Sequence, residues 1–265
     1  MHVDRREQYE IERELAARFK AATAEERRGL YSAVYDDLFR RAPAQRRIDH
    51  SAEVRERSSR EQIRLLLGLV HADSVFLEIG PGDYKVVNAI SAVVRRAFAI
   101  DVARARASAQ SISRSVELHI SDGTSIPIPR GTVTLAYSNQ LLEHLHPDDA
   151  HEHLRNVRRA LAAGGRYICV TPNRLSGPHD ISRHFDDVAS GLHLKEYSIA
   201  ELAAAFAAAG FSETQAFISY GGRILSPPLD VSPYRAYEWI VTRMPRGLRL
   251  KLASPLAAVK IVCTK

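Results

Sequence analysis

The most informative segment of the chain is Leu77-Glu78-Ile79-Gly80-Pro81-Gly82-Asp83-Tyr84. It closes an apolar run, VFLEI, whose length and composition are typical of a buried strand. A turn with two glycines follows, and glycine lets the backbone adopt positive φ angles and approach a ligand closely. The segment therefore predicts a strand, a ligand-binding turn and a helix in succession.

Four further strand candidates follow along the chain: RAFAID, VELHI, VTLAYS and GRYICVT. Each is bounded by Gly, Pro, Asp or Asn, and segments of helical length separate most of them. Such alternation predicts a parallel sheet with helices on both faces. FSETQAFISY and AAVKIVCT add a sixth and a seventh strand. We therefore predict an α/β fold with a seven-stranded, mostly parallel sheet.

Helices are predicted before the sheet, over residues 4–64. Thr23 and Glu26 have the spacing of a capping box, and the helix that they begin should stop before Pro43. A further helix, from about Ala52 to Val70, leads into the first strand. This N-terminal helical segment, 1–70, is open to two roles, as a lid or as a surface for a homodimer.

The rest of the chain, 71–265, forms the main predicted domain. Residues 172–197 are rich in His, Asp, Gly and Pro and show no helical periodicity, which is typical of a long functional loop. Ser198 and Glu201 then predict the capped start of another helix. Residues 227–254 predict a helical insertion before the last strand.

Composition restricts the class of protein. The 265 residues include 45% hydrophobic and 26% charged residues, as in soluble globular proteins. No apolar run approaches the roughly 20 residues of a membrane helix, and the N-terminus is highly charged, so we expect a cytoplasmic protein without a membrane span. Cys169 and Cys263 lie within apolar runs, which favours buried thiols over a disulfide or a metal site.

Asp101 is expected to complete a nucleoside pocket with the glycine turn. It ends the second strand about twenty residues further on, where a carboxylate can accept hydrogen bonds from both hydroxyls of a ribose. Lys85 stands where the third glycine of a dinucleotide-binding GxGxxG pattern would be. An adenosine ligand other than NAD is therefore favoured, although Asp101 could also cap a helix predicted over ARARASAQ.

The order of these pieces resembles a class I S-adenosylmethionine-dependent methyltransferase, over about residues 70–222 and again in the last strand. The resemblance implies a Rossmann-like fold with S-adenosylmethionine as cofactor. It implies that Glu78, Gly80 and Gly82 form the family's first motif, whose turn holds the methionine part of the cofactor. Asp101 would bind the ribose, and Asp122-Gly123 would lie beside the adenine. Asp122-Gly123 could also be a simple turn. The cofactor-binding residues implied in this way are Glu78, Gly80, Pro81, Gly82, Asp101, Val102, Asp122, Gly123, Asn139 and Gln140.

His144 is the predicted general base. It follows the fourth strand within LEHLHPD, and it resembles the histidine that follows the same strand in sugar O-methyltransferases. Methyl transfer to a hydroxyl requires removal of the hydroxyl proton, which a histidine can accept. The alternative is that His144 only lines the cofactor pocket. His146, His151 and His153 are expected to face solvent at the start of the next helix.

The acceptor is predicted to bind above the carboxyl ends of the strands, where open α/β sheets place their ligands. Polar groups and an aromatic ring in the 172–197 loop suit a polyhydroxylated ligand. Tyr84 stands where class I methyltransferases usually have a small residue. The pocket at that position is therefore expected to be wider, or the tyrosine ring to pack on the cofactor. The predicted substrate-binding residues are Tyr84, Asn173, His179, Asp180 and His184.

We predict no metal site, although His179, Asp180, His184, Asp186 and Asp187 lie close together in the sequence. Hard cations require convergent oxygens, and neighbouring residues of a loop often diverge.

The predicted activity is O-methylation of a sugar hydroxyl, in a glycan, an oligosaccharide or a glycosylated metabolite.

Three alternatives stay open: methylation of nucleic acid, methylation of a small-molecule amine, and a noncatalytic partner subunit that binds the cofactor. The basic region 223–265 favours nucleic acid, because eight Lys and Arg oppose only Asp230 and Glu238. The fourth strand, however, ends in SNQ rather than in the Asn/Asp-Pro-Pro-aromatic run of many base N-methylating enzymes. We therefore do not expect nucleic acid as a partner.

Overall fold

In the computed structural model, which describes residues 5–41, 52–102, 111–226 and 228–265, the chain forms one large sheet flanked by helices. The strands are β1 (Val75–Ile79), β2 (Arg96–Asp101), β3 (Val116–Ile120), β4 (Val133–Asn139), β5 (Leu161–Pro172), β6 (Glu213–Ala216), β7 (Ser219–Tyr220), β8 (Arg223–Ile224), β9 (Leu229–Asp230) and β10 (Ala258–Thr264). The five strands predicted first are β1 to β5, and the predicted last strand is β10.

The large sheet has the order β3-β2-β1-β4-β5-β10-β6-β9. Strands β1 to β5 are parallel, and β10 lies antiparallel between β5 and β6. The strand order reverses between β1 and β4, and a crevice forms at the carboxyl ends of the strands at such a reversal. The mostly parallel Rossmann-like sheet is confirmed, and the ends of β1 and β4 mark the expected position of the site.

The count of seven strands differs from the structure, where the large sheet has eight. The additional strand is β9, which pairs with Gln215 and Ala216 at the edge. The predicted sixth strand is also divided, because Phe217 and Ile218 separate β6 from β7, and β7 pairs with β8 in a separate ladder. Two-residue strands carry too little periodicity to be recognised in a sequence.

The helices, in chain order, are α1 (Arg5–Ala21), α2 (Ala24–Arg41), α3 (Ala52–Leu67), α4 (Lys85–Ser91), α5 (Pro147–Ala160), α6 (Ile199–Ala208), α7 (Ser232–Val241) and α8 (Arg246–Ala253). Both predicted capping boxes form, at Thr23 with Glu26 and at Ser198 with Glu201. The predicted stop at Pro43 and the predicted helix within 103–110 lie outside the described residues.

The N-terminal helices α1 and α2 pack on each other and on the face of the sheet. Leu15, Phe19, Tyr31 and Val34 are buried in the same hydrophobic cluster as side chains of β1, β2 and β4. Burial of large apolar side chains contributes about 1.5–3 kcal/mol each. These helices are therefore part of the folded core beside the carboxyl ends of the strands.

The insertion forms α7 and α8, and Glu238 connects it to the rest of the fold. The buried Glu238 carboxylate accepts hydrogen bonds from the backbone nitrogens of Ile199, at 2.7 Å, and Ala200, at 3.0 Å. A negative charge at the start of α6 is stabilised by the unpaired N–H groups there.

Across the described parts of the chain, no helix combines the length and apolar character that a membrane crossing requires.

Candidate active site

A cavity opens at the carboxyl ends of β1, β2 and β4, where the strand order reverses. Its empty space measures about 770 Å³, including the mouth that opens to solvent. This carboxyl-edge cavity is lined by Tyr31, Tyr35, Ile79, Gly80, Gly82, Ile100, Asp101, Val102, Ser121, Gly123, Gln140, Leu141, His144, Leu145 and His153. The structure thus brings together seven of the predicted site residues, Gly80, Gly82, Asp101, Val102, Gly123, Gln140 and His144.

The glycine turn forms the floor of the cavity. Gly80 and Gly82 have φ angles of 68° and 63°, in the left-handed region that favours glycine. A Cβ on Gly80 would lie 2.9 Å from Cδ1 of Leu141, so the backbone is closely packed at this position. Pro81 is buried between the two glycines and is not among the lining residues. The backbone of the turn therefore faces the cavity, and its predicted contact with the cofactor stays a prediction.

Asp101 lines the cavity at the end of β2, and Val102 follows it. The Tyr84 hydroxyl donates a hydrogen bond to Oδ2 of Asp101 at 3.3 Å. Tyr84 is fully buried in the core beneath the turn and does not line the cavity. The structure thus places Tyr84 behind the predicted ribose-binding carboxylate, and its predicted contact with the substrate stays a prediction.

Asp122 closes the turn after β3. Its Oδ1 accepts from the backbone nitrogens of Thr124, at 3.0 Å, and Ser125, at 2.7 Å. Burial raises the pKa of Asp122, but these hydrogen bonds outweigh it and the net pKa is lowered. The structure therefore shows Asp122 stabilising the turn after β3. Its predicted contact with adenine stays a prediction.

Gly123 is covered by the ring of Tyr31 from α2. A Cβ on Gly123, whose φ is 96°, would lie 2.5 Å from Cδ2 of Tyr31. The Tyr31 hydroxyl donates to Oδ2 of Asp149 at 2.7 Å and accepts from the backbone nitrogen of His146 at 3.0 Å. An aromatic ring of the N-terminal segment is thus fixed over the predicted adenine position. Sequence reasoning missed Tyr31, because no local motif links α2 to the turn after β3.

His153 also lines the cavity, so the expectation that it faces solvent is wrong. The buried face of α5 includes Asp149, Ala150, Leu154 and Val157, and helical spacing places His153 on that same face. Its Nδ1 donates to the carbonyl of Gly123 at 3.2 Å, and its buried Nε2 has no hydrogen-bond partner. Burial lowers the pKa of His153 to about 4, which keeps the ring neutral at neutral pH.

The end of β4 supplies Asn139 and Gln140. Gln140 lines the cavity with a φ of 55°, and its backbone nitrogen donates to the carbonyl of Val170 at 2.9 Å. Asn139 is half-buried and is not among the lining residues. The left-handed turn at Gln140 aims the following segment, with Leu141, across the glycine turn.

His144 stands in a short 3₁₀ turn after β4 and lines the cavity. Its Nδ1 donates to the carbonyl of Leu192 at 3.0 Å, since a carbonyl oxygen can only accept. This bond selects the neutral tautomer with its lone pair on Nε2. The imidazole meets the ring of Tyr35 edge-on, with 6.1 Å between ring centroids.

Two further titratable groups lie beside His144. Glu143 is fully buried; its Oε2 accepts from the Thr171 hydroxyl at 2.9 Å, and burial raises its pKa to about 7. His193 donates from Nδ1 to Oε1 of Glu196 at 2.7 Å. Burial lowers the pKa of His193, but Glu196 and the neighbouring carboxylates outweigh it, so the net pKa is raised.

The four predicted substrate residues of the 172–197 loop do not line the carboxyl-edge cavity. Asn173, His179 and Asp180 hold the loop together: His179 contacts the Asn173 carbonyl at 3.0 Å, and Asp180 accepts from backbone nitrogens, including that of Gly191. His184 is exposed. The loop instead contributes Leu192 and His193, which contact His144, and these were not predicted as substrate residues.

Glu78 is buried beneath the glycine turn and does not line the cavity. One of its oxygens accepts from the backbone nitrogen of Val87, and Oε2 has no partner. Burial raises the pKa of Glu78 to about 8. The predicted contact of Glu78 with the cofactor stays a prediction.

Comparison with known proteins identifies the central part of the fold. Residues 77–169, which contain the glycine turn, β2 to β4, His144 and most of β5, match the family model of a methyltransferase domain. Residues 77–169 are therefore a methyltransferase domain, and the fold around them is that of class I S-adenosylmethionine-dependent methyltransferases. No curated protein matches its sequence at a significant level.

Solved structures similar to this methyltransferase are remote in sequence. A phosphoethanolamine N-methyltransferase from Haemonchus contortus, solved with phosphoethanolamine and S-adenosylhomocysteine, is 14% identical over 92% of this chain and 50% of that one, with a TM-score of 0.58. A chain from a Haloferax volcanii complex between the Trm112 methyltransferase activator and a methyltransferase is 17% identical over 79% and 90%, with a TM-score of 0.55. A Thermotoga maritima S-adenosylmethionine-dependent methyltransferase is 15% identical over 97% and 99%, with a TM-score of 0.52. At these identities, the likeness shows the fold.

The cofactor of the methyltransferase is S-adenosylmethionine, and the carboxyl-edge cavity fits it. Gly80 and Gly82 line the cavity, and glycine at both positions lets the methionine part approach the backbone closely. Asp101 offers carboxylate oxygens for the ribose hydroxyls. Tyr31 and the unpartnered Nε2 of His153 provide an aromatic face and a hydrogen-bond acceptor near Gly123, which suits a purine with an exocyclic amine.

Proposed function

We propose that this methyltransferase methylates a hydroxyl of a sugar or of another polyhydroxylated small molecule, with His144 as the general base. The observation that carries the proposal is the hydrogen bond from Nδ1 of His144 to the carbonyl of Leu192, at 3.0 Å. It leaves the lone pair of the neutral imidazole on Nε2, in a residue that lines the cofactor cavity. A hydroxyl is a weak nucleophile until its proton is removed and so needs such a group, whereas a neutral amine can attack before it loses a proton.

When bound, S-adenosylmethionine supplies an electrophilic methyl group and leaves as S-adenosylhomocysteine. The residues of the chain position the reactants and move the proton. As the acceptor oxygen attacks, its O–H bond breaks and the proton passes to Nε2 of His144. The carbonyl of Leu192 stabilises the resulting imidazolium through the Nδ1–H bond. Gly80 and Gly82 hold the donor side, so that donor and acceptor meet in line.

The N-terminal helices act in this proposal as a fixed cover of the cavity. Tyr31 and Tyr35 of α2 both line it, and Tyr31 is buried while Tyr35 is half-buried next to His144. Aromatic faces are suitable platforms for the apolar side of a sugar ring. We therefore assign the acceptor to the part of the cavity between Tyr35 and His144, bordered by Leu192 and His193 of the 172–197 loop.

The test is methyl transfer by the purified protein to a panel of sugar, glycosylated and amine acceptors. We expect transfer to hydroxyl acceptors, and His144→Ala should lower turnover by about 10²–10⁴-fold, as for loss of a general base. Binding of S-adenosylhomocysteine should change little. His151→Ala, an exposed histidine of α5, is the matched control. Wild-type turnover in His144→Ala at saturating acceptor would disprove the base, and exclusive transfer to amines would disprove the acceptor class.

A further inference from the structure

We propose that Glu143, His144 and His193 form a binding site for one divalent transition-metal cation at the inner wall of the carboxyl-edge cavity. Among the described residues, one ligand atom from each of these three lies within 4.8 Å of the ligand atoms of the other two. The two imidazole rings have centroids 4.9 Å apart and planes at 79°. Two nitrogens and a carboxylate oxygen thus approach a common point.

The clearest sign of a missing partner is Glu143. Its side chain is fully buried, and Oε1 has no hydrogen-bond partner. A buried carboxylate oxygen without a partner is costly, because the protein replaces none of the hydration that the oxygen has lost. A cation held between Oε1 and the two imidazoles would supply the missing interaction.

Each of the three side chains is also fixed by a second contact, as metal ligands usually are. Nδ1 of His144 donates to the carbonyl of Leu192 at 3.0 Å, and Nδ1 of His193 donates to Glu196 at 2.7 Å. Oε2 of Glu143 accepts from the Thr171 hydroxyl at 2.9 Å. These contacts assign Nε2 of each histidine and Oε1 of Glu143 as the ligand atoms.

The charge around the cluster favours a cation. Glu143 and Glu196 are both buried, and Asp180 acts on His193 from the same loop. The Glu196 carboxylate lies 2.7 Å from Nδ1 of His193, so a cation bound at Nε2 of the same ring would meet negative charge nearby.

The donor set selects the class of metal. Two imidazole nitrogens with one carboxylate suit zinc, iron, cobalt and manganese, whereas magnesium and calcium prefer all-oxygen sites. Since His144 lines the carboxyl-edge cavity, coordination positions of the cation would face the acceptor. His193 and Glu196 also line a second cavity below the 172–197 loop, so the cluster can be reached from two sides.

The catalytic role of the cation rests on the proposed function, whereas its binding does not. A divalent cation lowers the pKa of a hydroxyl that approaches it, so the acceptor would release its proton to solvent near neutral pH. With the cation bound, Nε2 of His144 would be a ligand, so the hydroxyl acceptor of the proposed function is kept and its general base is replaced. The methyl group would still pass from sulfur to the acceptor oxygen, with the C–S electron pair going to sulfur.

The experiment titrates Co²⁺, Zn²⁺, Mn²⁺ and Mg²⁺ into chelator-treated full-length protein without a polyhistidine tag. Calorimetry should give one strong site for a transition metal, and Co²⁺ should produce a visible absorption band. Glu143→Gln and His193→Ala should each weaken binding by at least about 10-fold, and Glu196→Gln by about 10–100-fold through its effect on His193. His151→Ala should bind like the wild type.

Absence of stoichiometric transition-metal binding by the wild type would overturn the site, as would Mg²⁺ binding alone or binding that His193→Ala and Glu143→Gln leave unchanged. Melting curves and S-adenosylhomocysteine binding on the same samples show whether each variant is folded. They also separate the two proposals. Loss of cofactor binding in the wild type would count against the methyltransferase function, whereas normal cofactor binding without metal binding leaves His144 as the direct base.

Discussion

Arg27 and Asp149 form a bidentate ion pair, in which Nε and Nη2 of the arginine each lie 2.7 Å from a carboxylate oxygen of the aspartate. Both side chains are about 95% buried, since their exposed fractions are 5% and 4%. Asp149 also accepts from the Tyr31 hydroxyl at 2.7 Å. The pair therefore fixes α2 to the start of α5 and holds the Tyr31 ring over Gly123.

Replacing Arg27 by Met should destabilise the protein strongly, because the Asp149 carboxylate stays buried without its counter-ion. We expect the free energy of unfolding to fall by about 3–5 kcal/mol, which corresponds to about 6–20 °C in Tm. Arg28→Met is the control, since Arg28 pairs with Glu152 at 3.5 Å on the surface and such pairs contribute about 0–1 kcal/mol. Equal melting temperatures of the two variants would contradict this account.

A methyl group at Gly123 should lower cofactor affinity. Gly123→Ala places a Cβ 2.5 Å from the Tyr31 ring and at a φ of 96°, so the ring must move away from the cavity wall. Gly131→Ala is a matched control with a φ of 69° and open space around the new methyl group. Calorimetric titration with S-adenosylhomocysteine should show weaker binding for Gly123→Ala alone. An unchanged Kd would mean that the ring plays no part in holding the cofactor.

Asp101→Asn should weaken S-adenosylhomocysteine binding by about 10–100-fold, the usual cost of losing hydrogen bonds to a charged acceptor. Tyr84→Phe removes the 3.3 Å hydrogen bond behind Asp101 and leaves the carboxylate in place, so it should cost less, about 2–10-fold. Asp73→Asn, at an exposed position before β1, serves as the control. The ribose assignment fails if Asp101→Asn binds the cofactor product as tightly as this control does.

Glu78 should make stability depend on pH. Its pKa is raised by burial from 4.5 to about 8, so between these values the unfolded chain loses a proton that the folded protein keeps. Stability therefore falls as pH rises through this window, by at most about 1.4 kcal/mol per pH unit, and levels off above pH 8. Urea unfolding of Glu78→Gln should show a flatter profile between pH 5 and 8, whereas Glu117→Gln, at an exposed site, should follow the wild type. Parallel profiles for Glu78→Gln and wild type would refute the burial argument.

Most of the fold could be predicted, because its main elements carry local signals. VFLEI and the glycine turn identify β1 and its ligand-binding end, and Ser198 with Glu201 identifies the start of α6. The eighth strand could not be predicted, since Leu229–Asp230 belongs to the sheet only through its pairing with β6. Pairing between distant segments leaves no periodic pattern in either of them.

The site was predictable where it consists of backbone turns and strand ends, as at Gly80, Gly82 and Asp101. It was not predictable where distant segments supply the walls. Tyr31 reaches the cavity because Asp149 holds it, and His193 reaches His144 because the 172–197 loop folds back toward β4. His153 was expected to face solvent together with His146 and His151 at the start of the helix, whereas its helical position places it on the buried face of α5.

The contact between Arg27 and Asp149 also sets an order of assembly during translation. The ribosome completes α1 and α2 first, but the carboxylate that anchors them emerges 122 residues later. Until then Arg27 lacks the Asp149 carboxylate that pairs with it in the folded protein. The wall that carries Tyr31 therefore closes late, so a nascent chain acquires its complete nucleoside-binding surface only after the fourth strand and the following helix have left the exit tunnel.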